Sequence, residues 1–176
     1  MHDPTLASRV AQLVNAIELE RRDLRLAVQA NTVPDSPDVR TVVDRFVTAQ
    51  GFSGLAERWR EITCEAAFRH IGSLLYKDLV YKSQVMSVAR AKELAHEVLA
   101  LVPEARYFSN ADMVDGLIQW DVMKSECVVV KSEFSDGVLV NYPLSSIDPI
   151  ASSTVDSGVV MVSHERIGIF WVEDED

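Results

Sequence analysis

The hydrophobic period of this sequence changes once, at Pro103, and that change limits what the chain can fold into. Before Pro103 apolar residues recur at helical spacing; after it they alternate. Helical segments followed by strand segments predict an α+β domain with a mostly antiparallel sheet rather than a series of βαβ units.

The helical part reads as about four helices in residues 1–103. Asp3 is a candidate N-cap and Pro4 a first helical residue, where its missing N–H costs nothing. Leu6, Val10, Leu13, Val14, Ile17, Leu24 and Val28 continue the spacing, so the pattern predicts one long helix ending near Asn31. The Pro-containing "TVPDSP" then breaks the chain. Asp38 caps a second helix through Thr48, stopped by Gly51, and a third is predicted from Ser53 to about Tyr76. The stretch "LVYKSQVM" reads as a strand or an extended connection. Ser87 caps a fourth helix with an apolar stripe of Val88, Ala91, Leu94, Ala95, Val98 and Leu101.

In residues 104–176, "ARYFSN" is a short strand. "SECVVVKSEF" and "VLVNYPL" form a predicted hairpin about Asp136-Gly137, a dipeptide suited to a tight type I′ turn. A second hairpin is predicted in "SGVVMVSHERIGIFWVED", turning at His164 to Arg166. Its last strand places Ile167, Ile169 and Trp171 on one face and Phe170 and Val172 on the other, a strand buried on both sides. The expectation is a single α+β domain: four N-terminal helices covering one face of a C-terminal sheet of four to five strands.

Charge is distributed unevenly. The net charge is −10, yet residues 89–176 hold 16 of the 27 acidic side chains and 6 of the 17 basic ones, so the acidity belongs to the second half. Such a field repels phosphate backbones and anionic membranes and speeds encounter with a basic protein. No nucleic acid and no membrane are therefore expected as partners. The N-terminus lacks the basic, apolar and small-residue order of a secretory signal, and no run approaches eighteen apolar residues, which predicts a cytoplasmic chain. Cys64 and Cys127 have neither a metal-knuckle spacing nor a disulfide framework and read as reduced, small apolar residues.

Catalytic signatures are missing. The seven glycines form no phosphate-binding loop, and there is no GxSxG, HExxH or CxxC, so no cofactor or metal is expected. Glu93 and His96 stand at i and i+3, as bundle metal ligands do, but no second copy of the motif exists. Glu57, Glu61 and Glu65 form an acidic row interleaved with Arg58, Arg60 and Arg69, a pattern of solvated ion pairs. His70, in the apolar third helix, reads as a hydrogen-bonded core histidine. His164 with Glu165 and Arg166 reads as an exposed turn.

Two acidic segments suit a partner. In "NADMVDGLIQWD", Asp112, Asp115 and Asp121 frame Trp120, an arrangement for ion pairing and cation–π contact with arginines. The chain closes on Glu173, Asp174, Glu175 and Asp176, which shield the last strand from pairing with another chain and extend the acidic field. Asp148 and Asp156 lie in an irregular Ser- and Pro-containing stretch and read either as pocket residues or as turn-forming Asx residues.

These observations predict a protein-binding module that offers Asp112, Asp115, Trp120, Asp121 and the four terminal acids to a basic protein. An inhibitor of the immunity or antitoxin type is the concrete case. The rival expectation is a small enzyme using His70 or His96 with a carboxylate of the 112–121 segment. A third is a homo-oligomeric accessory protein that associates through its first helix.

Overall fold

The computed structural model describes residues 4–33, 36–81, 83–113, 117–121, 126–130, 144–153 and 155–174, with backbone alone at Pro4 and through 112–146. Helix α1 (Pro4–Glu18) leads into β1 (Leu24–Ala30) and α2 (Val39–Ala49). A single 3-10 turn (Ala56–Arg58), β2 (Arg60–Ile62), α3 (Cys64–Tyr76) and α4 (Val88–Leu99) follow. Seven strands complete the described chain: β3 (Arg106–Ser109), β4 (Ala111–Met113), β5 (Leu117–Asp121), β6 (Glu126–Val130), β7 (Leu144–Ile147), β8 (Val155–Val162) and β9 (Arg166–Asp174).

The class is α+β. Five strands form one antiparallel sheet in the order β1-β9-β8-β3-β2. Its centre is the β8–β9 hairpin, in which every residue from Ser157 to Met161 and from Ile167 to Val172 is buried. Alternation along β9 divides the molecule into two apolar layers. Phe170 and Val172 join α1, α3 and α4 on one face, while Ile167, Ile169 and Trp171 join α2 and the turn bearing Leu55 and Trp59 on the other. Burial on both faces explains why this strand is nearly continuous in apolar residues.

The sequence-based outline needs three corrections. The long first helix stops at Glu18: Asp23 takes a positive φ of 57°, and Leu24, Leu26 and Val28 then point to one face of an edge strand. Leu24 and Val28 fit a helical period and an alternating one equally, so the strand was hidden inside the helical pattern. The helix expected from Ser53 is broken as well. Asp44 on α2 accepts from Leu55 N, Ala56 N and the Trp59 indole, pulling Trp59 into the second layer, and Thr63 caps a shorter α3 through Ala66 N. Two strands thus interleave with the helices inside residues 1–103. Both sheet faces are covered, because α2 packs opposite the other three helices.

Other expected features lie where the period put them. Asp38 accepts from Thr41 N to cap α2, and Ser87 accepts from Arg90 N to cap α4. The segment between α3 and α4 is a loop closed by a Lys77–Gln84 bridge. Asp136 and Gly137 lie outside the described residues; the strands around them pair as β5 with β6 and β4 with β7. Among the described residues no helix is long and apolar enough to cross a membrane.

Candidate functional site

Strand register brings several distant segments to one end of the main sheet. Val155 pairs with Asp174, Asp156 with Glu173, and Leu24 with Val172; β3 leaves the sheet at the same end, through Ser109 and Asn110. Between Asn110 and Asp148 the described strands are β4, β5, β6 and β7. In the described ladders these four strands pair only among themselves. The described strands β4 to β7 thus pair apart from the main ladder, as an arm whose two roots are tied where Asp148 N donates to Asn110 O over 2.9 Å.

The roots rest on a buried polar network. The Asn110 side-chain amide donates to Asp148 O, Asp156 O and Asp156 Oδ1 at 3.1, 3.0 and 3.3 Å. Three acceptors on one side identify that atom as nitrogen, which leaves Asn110 Oδ1 to accept from Ser157 Oγ at 2.8 Å. With its proton committed to Asn110, Ser157 accepts from His70 Nε2 at 2.9 Å. Asp156, wholly buried, gathers Ile150 N, Ala151 N and the Trp171 indole N–H as further donors. A carboxylate buried without a cation needs this many hydrogen bonds.

Gly158 makes the indole contact possible. It stands opposite Trp171 in the β8–β9 ladder, and a Cβ there would lie 2.1 Å from Phe170 O and 2.5 Å from the indole Cε3. Only a residue without a side chain lets Trp171 lie across the strand and reach Asp156. Outside this buried set, Asp148 meets Arg58 and Arg60, each at 2.9 Å. Arg60 also donates to Asn110 O at 2.8 Å, so one guanidinium holds both roots.

His70 and Ser157 have the separation of a base and a nucleophile, but the proton order is reversed. In a hydrolytic pair the hydroxyl donates to the imidazole; here the imidazole donates to the hydroxyl. His70 is 1% exposed and Ser157 fully buried, and burial pushes the imidazole pKa down to about 3. The pair is a neutral structural link between α3 and the root of the arm. His96 stacks on Phe68 with ring centroids 4.3 Å apart, and Glu93 pairs with Arg90 at 2.7 Å. Among the described residues no group of three or more His, Cys, Asp or Glu could hold a metal ion.

The acidic row dissolves similarly. Glu57 lies in the 3-10 turn, Glu61 in β2 makes a two-pronged pair with Arg106, and Glu65 pairs with Arg69 one helical turn away. The Arg106 hydrogen bonds hold the Glu61 carboxyl below its usual range. Cys64 is a free, exposed thiol at the start of α3 rather than a core residue. A groove of about 340 Å³ lies between α1 and α4, lined by Arg9, Gln12, Leu13, Glu97 and Leu101 among others, with no histidine.

Of the candidate partner residues, Asp112 lies on β4, and Trp120 and Asp121 on β5, where they pair in backbone register with Cys127 and Glu126. Asp115, Glu175 and Asp176 lie outside the described residues. Glu173 and Asp174 end β9, half-buried. Asp174 is engaged within the chain, accepting from Arg21 Nη2 at 2.7 Å and from Leu79 N at 2.6 Å. The site residues that sequence reasoning missed are Arg21, Asn110 and Ser157, whose importance comes from contacts across 38 to 153 positions. No local pattern signals such contacts.

Comparison with protein-family models, with curated proteins and with solved structures gave no match.

Proposed function

We propose that the chain is a protein-binding module that holds a basic protein through the acidic end of its sheet. What supports this reading is that the roots of one acidic segment and the start of another lie at the same end of the sheet. Residues 111–147 contain six acidic side chains against two lysines, and both roots of this arm sit beside Asp156, whose strand partner is Glu173 at the start of the terminal acidic run. Two strand spacings across the sheet and four residues along it put Ser109 of β3 roughly 16 Å from Asp174 at the end of β9. One partner surface can span both.

A rigid base under a polar arm is what such a module needs, because ordering a flexible surface at the moment of binding weakens the complex. The network joining His70, Ser157, Asn110 and Asp156 supplies that base. An inhibitor of the immunity or antitoxin type, presenting carboxylates where a nuclease expects phosphates, is the concrete form of the proposal. Electrostatic complementarity of this kind gives fast association that weakens with salt.

The test is affinity capture from host lysate at low and moderate salt, followed by titration of the recovered protein. The chain is compared with a variant carrying Asp112, Asp115 and Asp121 as Asn, and with one carrying Glu173, Glu175 and Asp176 as Gln or Asn. Asp174 stays intact, since removing it disturbs Arg21. Recovery of a basic protein whose affinity falls with salt and with either variant supports the reading. An affinity indifferent to salt and to both variants rejects it.

A further inference from the structure

We infer that a second copy of this chain docks along β1 and α1, joining two five-stranded sheets edge to edge about a two-fold axis. Strand β1 ends the sheet order, so one side of it is unpaired among the described strands. Asn31 N bonds to Glu165 O and Glu173 N to Asp23 O, which fixes the odd-numbered residues of β1 as those bonded to β9. The N–H and C=O groups of Leu24, Leu26, Val28 and Ala30 therefore point outward. Seven residues without a proline or a bulge make a long edge to leave open.

Helix α1 lies over this strand. Leu6, Leu13 and Ile17 face the core, and Arg9, Gln12 and Ala16 face the groove toward α4. At 100° per residue the remaining apolar side chains, Ala7, Val10, Ala11 and Val14, fall on the opposite flank, which looks past the edge of the sheet. Ala7 and Ala11 are exposed and the two valines half-buried. An apolar helix flank and an open strand edge thus form one continuous surface.

What selects a second copy is that both elements are self-complementary about the same axis. An antiparallel β1 pair centred on Ala27 sets Leu26 against Val28 and Leu24 against Ala30 as hydrogen-bonded pairs. Arg25 then stands opposite Gln29, so no like charges meet. An antiparallel α1 pair centred between Val10 and Ala11 sets Val10 against Ala11 and Val14 against Ala7, each large side chain against a small one. The two elements are matched in length, so one two-fold axis can serve both centres. The 15 residues of α1 and the 7 of β1 are both roughly 22 Å long, and their midpoints are Ala11 and Ala27. The charge balance agrees: apart from Arg9, which faces the groove, these elements hold one cation, Arg25, and one anion, Glu18, so this side is the one that an acidic chain can present to its own copy.

Sedimentation velocity over a wide concentration series tests the inference. The chain is expected to reach twice its 19.6 kDa mass, and Ala11→Glu, on an exposed position, to sediment as a folded monomer. Ala27→Cys in a Cys64→Ser, Cys127→Ser background is expected to cross-link on oxidation, since a non-hydrogen-bonded antiparallel pair holds its Cα atoms about 4.5 Å apart, within disulfide reach. A chain that stays monomeric at every concentration overturns the inference. So does a dimer that persists in Ala11→Glu, whether or not Ala27→Cys folds.

Discussion

Arg21 and Asp174, 153 positions apart, meet in a 2.7 Å ion pair whose guanidinium is 3% exposed and whose carboxylate is 15% exposed. The pair ties the turn after α1 to the last residue of β9, and through Leu79 N to the loop after α3. Breaking it from the acidic side leaves a buried cation alone, which costs about 3–5 kcal/mol. Asp174→Ala is therefore expected to lower the urea midpoint sharply. Glu65→Ala, which removes an exposed pair one helical turn from Arg69, is expected to cost ~0.3–0.5 kcal/mol. Equal effects from the two substitutions would mean that Arg21 relaxes into solvent.

His70 gives the fold an acid sensitivity. Burial holds its folded pKa at about 3 against an ordinary 6.5. Stability attached to the neutral ring is complete above about pH 6.5 and is lost as the pH falls, because the unfolded chain takes up a proton that the folded one refuses. The loss is up to ~1.4 kcal/mol per pH unit until the folded pKa is reached. His70→Gln keeps a donor for Ser157 but does not titrate. The difference in unfolding free energy between the two proteins, followed from pH 7 to 4 by urea titration, should shrink or reverse toward acid; a constant difference would contradict the assignment.

At Gly158 the expected cost comes from backbone. A methyl group there meets Phe170 O, and neither strand of the central hairpin can withdraw without disturbing two core layers. Gly158→Ala is expected to destabilise by at least about 3 kcal/mol, at the upper end of overpacking effects. The near-ultraviolet circular dichroism of the Trp171 environment should change with it. An unaltered spectrum together with an unaltered melting temperature would show that the hairpin yields.

How much of this was legible in the sequence depended on whether the signal was local. Asp38 and Ser87 are caps followed by amphipathic runs, and α2 and α4 begin where those residues predict. The double-sided burial of β9 was readable because Phe170 and Trp171 leave no polar face. In contrast, Leu24 and Val28 satisfy two periods at once, and only the positive φ of Asp23 and pairing with β9 decide between them. Trp59 sits at helical spacing from Leu55, yet Asp44 pulls both into a turn. The sequence left Asp156 open between a pocket residue and an Asx turn, and its bonds to Ile150 N and Ala151 N reach six and five positions back rather than forward. Its links to Asn110 and Trp171 required the sheet.

The ion pairs at the arm root lead to a last prediction, in which local order separates from global stability. Asp148 is 26% exposed at its side chain and Arg58 62%, so their pairing is screened by solvent and contributes at most about 1 kcal/mol. Arg60 does more locally, because it bridges Asp148 and Asn110 O across the two roots. In Asp148→Ala the backbone bond from residue 148 to Asn110 remains, but the carboxylate that meets Arg60 is gone. Hydrogen exchange should then quicken at Ala111, Met113, Leu144 and Ile147, the paired positions of β4 and β7, while amides of β8 and β9 keep their protection. Salt added to the unmodified protein should reproduce part of that effect, since it weakens the same pairs. If exchange quickens in β8 and β9 to the same degree, the arm and the sheet open as one unit and the root is not a separate clamp.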